Sequence, residues 1–173
     1  MTDDPVREAT GGLRAWLMSA QGDDALALRD RILDSAADKG AQLLVLRSDM
    51  VFGLDHLRSA MYHAMKATSE HRNVSESLAM ETLLYASGER QLSTAIKKMS
   101  VDSSTPGIAI VQLTAGDIGE ERTWRPLPSI RSDMPREAIL DFGVSSDELA
   151  TADARRVIDL VLEKVASVDI TKR

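Results

Sequence analysis

The stretch Met80-Glu81-Thr82-Leu83-Leu84-Tyr85-Ala86-Ser87-Gly88-Glu89-Arg90-Gln91-Leu92 decides how this chain folds. Leu83, Leu84 and Tyr85 belong to a helix that Asn73 or Ser75 can open. Gly88 closes it, because glycine enters the left-handed backbone region without a Cβ clash. Directly afterwards, Leu92, Ala95, Ile96 and Met99 recur at helical spacing and make a second apolar stripe. Upstream, Leu57, Ala60, Met61, Ala64 and Met65 fall at i, i+3, i+4, i+7 and i+8 on one face of a third helix. Three helices therefore follow one another with no strand between them.

Strands flank this helical block. Leu43 to Leu46 is a continuous apolar run bounded by Gly40 and Asp49, the pattern of a strand buried on both faces. Ile108 to Leu113 has strand character after Pro106-Gly107, and Asp102-Ser103-Ser104-Thr105 before it reads as a turn. Leu13 to Met18 reads as a short strand after Gly11-Gly12. Asp23 can cap a helix through Leu28, Ile32, Leu33 and Ala36 that stops at Gly40. Residues 116–135 carry Pro126, Pro128 and Pro135, so they should be extended or irregular, with an edge strand near Trp124. Two last helices are predicted, Arg136 to Phe142 and Ala152 to Ala166. Strands separated by runs of helices predict an α+β fold: one domain over residues 1–173, a small, largely antiparallel sheet packed with several α-helices.

Composition narrows the function. The 173 residues suffice to bury about 70% of the unfolded surface in one core. The absence of cysteine rules out a disulfide framework and fits a reducing compartment. MTDDPVREAT is acidic and has no apolar run, so no signal peptide is expected, and no apolar stretch approaches the ~20 residues that span a bilayer. A cytoplasmic protein without membrane contact is the expectation. A net charge of −6 argues against a uniformly basic nucleic-acid binder, and six aromatic residues are few for base-stacking platforms.

Catalytic and metal chemistry find little support. His56 and His63 would share a helix face but stand about 10 Å apart along its axis, too far for one ion. They and His71 read as structural or surface histidines. There is no G-x-S-x-G, P-loop, G-x-G-x-x-G or H-E-x-x-H. No catalysis, metal, cofactor or small-molecule substrate is expected.

Charge and amphipathicity are more informative. Residues 54–100 hold Arg58, Lys66, Arg72, Arg90, Lys97 and Lys98 against Asp55, Glu70, Glu76, Glu81 and Glu89, a positive balance in an acidic chain. A locally basic face can bind phosphates, and an ordinary solvated helical surface accounts for the same count. In the last helix, Val157, Ile158, Leu160, Val161, Leu162, Val165 and Ala166 spread over an arc of about 240°, well beyond the stripe of a little over 100° that one core requires. Either its own domain covers it on two sides, or one edge awaits a partner. Leu160 and Leu162 lie about 160° apart, so one should face the core and the other a partner.

With Val51-Phe52-Gly53-x-Asp55-His56-Leu57, Arg72-Asn73 and Ala95-Ile96-x-x-Met99, the motif at 80–92 resembles the small accessory subunit of the archaeal and eukaryotic KEOPS complex, the PRPK-binding protein (TPRKB) family. The match covers residues 51–100. Ser100 stands where relatives often place glycine, and residues 117–133 carry no family signature.

The resemblance implies a non-catalytic subunit of the assembly that installs threonylcarbamoyl on the adenosine beside the anticodon of tRNA. Such a subunit docks on a kinase-like ATPase and helps to recruit tRNA, including its CCA end. A protein-interaction module that regulates the ATPase without touching RNA is the alternative. Onto this sequence the resemblance and the charge count together place tRNA contacts at Arg72, Asn73, Arg90, Gln91, Lys97 and Lys98. Partner contacts fall at Val157, Leu160, Val161 and Lys164. Glu81 would repel phosphate, so it should pair with Arg90 or another base, or accept from a nucleobase amino group.

Overall fold

The computed structural model describes residues 9–20, 24–114, 116, 118, 122–153 and 156–171. Within them the order is β1 (Arg14–Ser19), α1 (Ala25–Asp38), β2 (Leu43–Arg47), α2 (Leu54–Ser69), α3 (Leu78–Ser87), α4 (Leu92–Met99), β3 (Gly107–Gln112), β4 (Arg125–Pro126), α5 (Arg136–Phe142), α6 (Ser146–Thr151) and α7 (Val157–Thr171). A single turn of 3-10 helix, Ser48–Met50, follows β2. The sheet runs β2-β3-β1-β4 and its ladders are antiparallel. The α+β expectation holds.

Alternation along the strands builds two cores. In β3, Ile108 and Ile110 point to one face and Ala109 and Val111 to the other, and all four are fully buried. The first face receives α1 through Ala25, Leu28, Ile32 and Ala36, beside Trp16 and Trp124. The second receives the remaining helices, with α3 at their centre. Seven consecutive α3 residues, Glu81 to Ser87, are buried, so this helix is covered all round. Burying a side chain such as Leu84 contributes about 1.5–3 kcal/mol. Ala60, Ala64 and Ala67 of α2 are completely buried, and their small side chains leave little bulk between α2 and the rest of the core.

Helix ends depart from expectation in several places. Asp24, not Asp23, caps α1, its carboxylate accepting from Leu26 N at 2.9 Å; Asp23 lies outside the described residues. Ser77, rather than Asn73 or Ser75, caps α3, because Oγ of Ser77 accepts from Met80 N. The last helix begins at Val157, not Ala152, and the short α6 precedes it. A capping box opens α6: Ser145 Oγ accepts from Glu148 N, and the Glu148 carboxylate accepts from Ser145 N at 2.7 Å. Ser100 ends α4 in extended backbone (φ −72°, ψ 145°), so no left-handed cap is needed there. Asp102 accepts from Ser104 N at 2.8 Å and closes the expected turn before β3.

Candidate functional site

The junction of α3 and α4 is built on Gly88, which takes the left-handed conformation (φ 68°) and turns the chain between the two helices. Beside it, Lys98 Nζ donates to Ser87 O (2.8 Å), Phe142 O (2.6 Å) and Glu89 Oε1 (2.9 Å), and sits 4.5 Å above the Phe142 ring. The ammonium thus satisfies carbonyls at the ends of α3 and α5, which those helices cannot pair themselves. With 12% of its side chain exposed, Lys98 is a structural pin and not the available RNA cation that the sequence suggests. Arg90 and Lys97, by contrast, are exposed and have no hydrogen-bond or ionic partner among the described residues. Gln91, also exposed, occupies the N-cap of α4 without a side-chain capping bond.

Arg72 and Asn73 lie in the loop between α2 and α3. Arg72 donates to Glu70 and, at 3.3 Å, to Asp169; Asn73 Nδ2 donates to Ser75 O at 3.0 Å. Glu81 does not pair with Arg90, which has no partner among the described residues, and it is fully buried. Its buried Oε2 accepts from Val74 N and Ser75 N, each at 3.0 Å, and so anchors the loop that leads into α3. A carboxylate replaces the peptide partners that a loop lacks, which accounts for an acid inside an apolar helix.

The three histidines serve three structural purposes. His56 is completely buried, and its Nδ1 accepts from Phe52 N at 3.2 Å. The proton must then sit on Nε2, which donates to Ala86 O at 2.8 Å, so the neutral ring bridges α2 to α3. Burial, together with the nearby positive charge of Lys98, pushes its pKa down to about 4 against the pull of the Ala86 carbonyl. His63 Nδ1 donates to Asp169 at 2.7 Å while its ring stacks on Tyr85 with centroids 5.6 Å apart. His71 adopts the left-handed conformation (φ 55°) that ends α2. No cluster of three or more potential metal ligands occurs among the described residues.

Asp169 near the end of α7 accepts from His63, Arg72 and the Tyr85 hydroxyl. Burial alone would raise its pKa, yet the hydrogen bonds from Tyr85 and His63 hold it below the ordinary carboxylate range. Tyr85 is pushed upward by burial and by that same carboxylate. The carboxylate is therefore the knot that ties α7 to α2 and α3. His63 Nε2 makes no hydrogen bond among the described residues, so no nucleophile triad is assembled there.

The centre of the buried face of α7 is Ile158, Val161, Val165 and Val168. Val161 is completely buried, which removes it from any docking surface of this conformation. Leu160 and Leu162 are both half-buried against the same core. The expectation that one faces the core and the other a partner fails because the buried arc is centred between them. Val157 is half-buried, and Lys164 Nζ reaches Glu148 at 3.4 Å. Val157, Leu160 and Lys164 thus share one edge of α7, beside α6.

Residues 117–133 hold the most consequential residues that the sequence pattern does not reveal. Arg131 N donates to Phe52 O at 2.9 Å, and its guanidinium donates to Ser48 O at 2.5 Å and Val51 O at 3.0 Å. The carbonyls of Pro128 and Ser129 accept from Leu54 N and Asp55 N at 2.8 and 3.0 Å, capping α2 from across the molecule. The Val51-Phe52-Gly53 motif is shaped to receive this segment, and no local pattern announces a contact of that range.

No match was found among curated proteins. The family model described as Kinase binding protein CGI-121 matches residues 21–134, a span that takes in the junction, the buried His56 and Glu81, and the strap over Gly53. Because that match spans most of the sequence, the chain belongs to the kinase binding protein CGI-121 family.

Proposed function

We propose that this protein is the accessory subunit of KEOPS that binds the kinase-like ATPase and tRNA, including its CCA end, in support of threonylcarbamoyladenosine formation in the cytoplasm, without catalysing the transfer itself. The observation that carries the RNA half is a pair of exposed cations without hydrogen-bond or ionic partners among the described residues: Arg90, next to Gln91 just before α4, and Lys97 in the last turn of that helix. Cations whose charge is not neutralised by a fixed carboxylate retain their field for phosphate, and the start of a helix adds unpaired N–H groups. Arg72 and Asn73 lie in the loop at the opposite end of α3, with part of their hydrogen-bonding capacity committed elsewhere.

Arg90→Glu is expected to weaken tRNA binding by well over ~1 kcal/mol, since one charge-assisted contact is replaced by repulsion. Gel-shift titrations with whole tRNA and with tRNA lacking its CCA end, repeated at rising salt, measure this. A folded Arg90→Glu variant that binds like the parent refutes the assignment.

The alternative, a module that regulates the ATPase without RNA contact, is favoured by the internal engagement of Lys98 and Arg72, which halves the expected set of four cations. Absence of tRNA binding with retention of the ATPase would select it. For that partner, the edge carrying Val157, Leu160 and Lys164 is the proposed contact. Leu160→Arg should change stability by no more than about 1 kcal/mol, because a half-buried arginine can carry its charge out to water. It should abolish co-purification with the kinase-like subunit; retained co-purification places the contact elsewhere.

A further inference from the structure

At the end of the sheet where β1 and β2 finish and β3 begins, a cleft of about 750 Å³ opens beside the segment that straps α2. Its cations are Arg122, Arg125 and Arg131. Asp133 neutralises Arg131, at 2.9 Å, and its guanidinium is committed to backbone carbonyls. Arg122 and Arg125 are exposed and have no hydrogen-bond or ionic partner among the described residues. The positive charge available to a ligand therefore rests on these two side chains. Arg125 lies opposite Leu17 across the β1–β4 ladder, so a rigid sheet edge fixes its origin.

Two further features distinguish this cleft from a merely charged surface. Ser48 Oγ, in its wall, makes no hydrogen bond among the described residues, although its backbone carbonyl is held by Arg131. Gly107 keeps the space beside that hydroxyl open: a Cβ there would stand 2.9 Å from Ser48 Oγ and 2.9 Å from Met18 O. Leu17, half-buried on the same sheet face as its ladder partner Arg125, contributes apolar wall, and Met18 contributes its backbone. The volume falls within the range of small-molecule sites and exceeds what an inorganic phosphate fills.

The geometry points to a binding site for a nucleoside phosphate, free or as a unit of a single strand, with Arg122 and Arg125 on the phosphate, Ser48 Oγ as a hydrogen-bond partner and the Leu17 side chain against the flat base. Guanidinium forks suit phosphate oxygens, and an apolar wall with adjacent polar groups suits a nucleobase. Such a site departs from the expectation of no small-molecule ligand, and it does not rest on the RNA reading of the α3–α4 junction.

Titration calorimetry of the whole chain at low salt, with AMP, ADP, adenosine, pyrophosphate and a short single-stranded RNA, tests it. AMP and ADP should bind with Kd below about 1 mM, and adenosine and pyrophosphate at least about tenfold more weakly than ADP. The double variant Arg122→Ala/Arg125→Ala should lose at least about tenfold in affinity while melting like the parent, since both side chains are exposed. Ser48→Ala should lose a smaller factor, about threefold or more. If the RNA binds with the same dependence on both arginines, the source is a strand; if only mononucleotides bind, it is a free nucleotide, and either supports the site. No binding by AMP, ADP or RNA, binding unchanged by the double variant, or adenosine or pyrophosphate as tight as ADP overturns it.

Discussion

Lowering the pH from 6.5 to 4 is expected to remove roughly 3 kcal/mol of stability through His56 alone. In the folded protein its pKa lies at about 4, against 6.5 for an unhindered imidazole, because burial and the charge of Lys98 disfavour the cation. Between those values the unfolded chain binds a proton that the folded chain refuses, so stability falls as the pH drops through the window. Above pH 6.5 the full contribution is present. Protonation would also destroy the acceptor for Phe52 N, since an imidazolium has only donors. Asp169, held below the ordinary carboxylate range, adds its own loss only at lower pH. Urea unfolding at a series of pH values measures the slope, and an NMR titration of the His56 ring locates its midpoint. A midpoint near 6.5 in the folded protein would overturn the assignment. His56→Leu should lose about 3 kcal/mol at pH 7, because Phe52 N–H and Ala86 C=O are both left buried and unpaired, and its stability should lack the slope between pH 4 and 6.5.

Gly53→Ala should be at least as damaging, at about 4 kcal/mol or more. A Cβ at this position would lie 2.3 Å from Ser129 O and 2.9 Å from Ile130 Cα, and φ is 136°, a value that side-chain-bearing residues rarely adopt. The obstructing atoms are backbone and cannot swing aside. Moving them would break the bonds by which Pro128 and Ser129 cap α2 and by which Arg131 N reaches Phe52 O. Gly12→Ala, whose Cβ would meet nothing within 4 Å, is the control and should stay within about 0.5 kcal/mol of the parent. Thermal melts and yields of soluble protein distinguish the two. A Gly53→Ala variant as stable as the control would show that the 129–131 strap is free to lift.

The architecture was legible because its determinants are local. Apolar periodicity locates α1 to α4, a glycine in the left-handed region ends α3, and the unbroken run Leu43 to Leu46 marks a strand buried on both faces. Each is decided within a window of about a dozen residues, over which one period dominates. Even the overlooked α6 was written locally, in Ser145-Ser146-Asp147-Glu148. The resemblance of residues 51–100 agrees with the family match over 21–134.

The roles of the polar residues were not legible, because a charge has no meaning until its partner is known. Lys98 looks like a surface cation in a basic segment, yet it is fastened to Phe142 O, 44 positions away. Glu81 looks like a misplaced acid and is the clasp of a loop. His63 meets Asp169 across 106 residues, and Arg131 meets Ser48 across 83. Periodicity governs which face of an element is apolar; only packing brings distant donors and acceptors into register, and burial then makes each of those pairings obligatory.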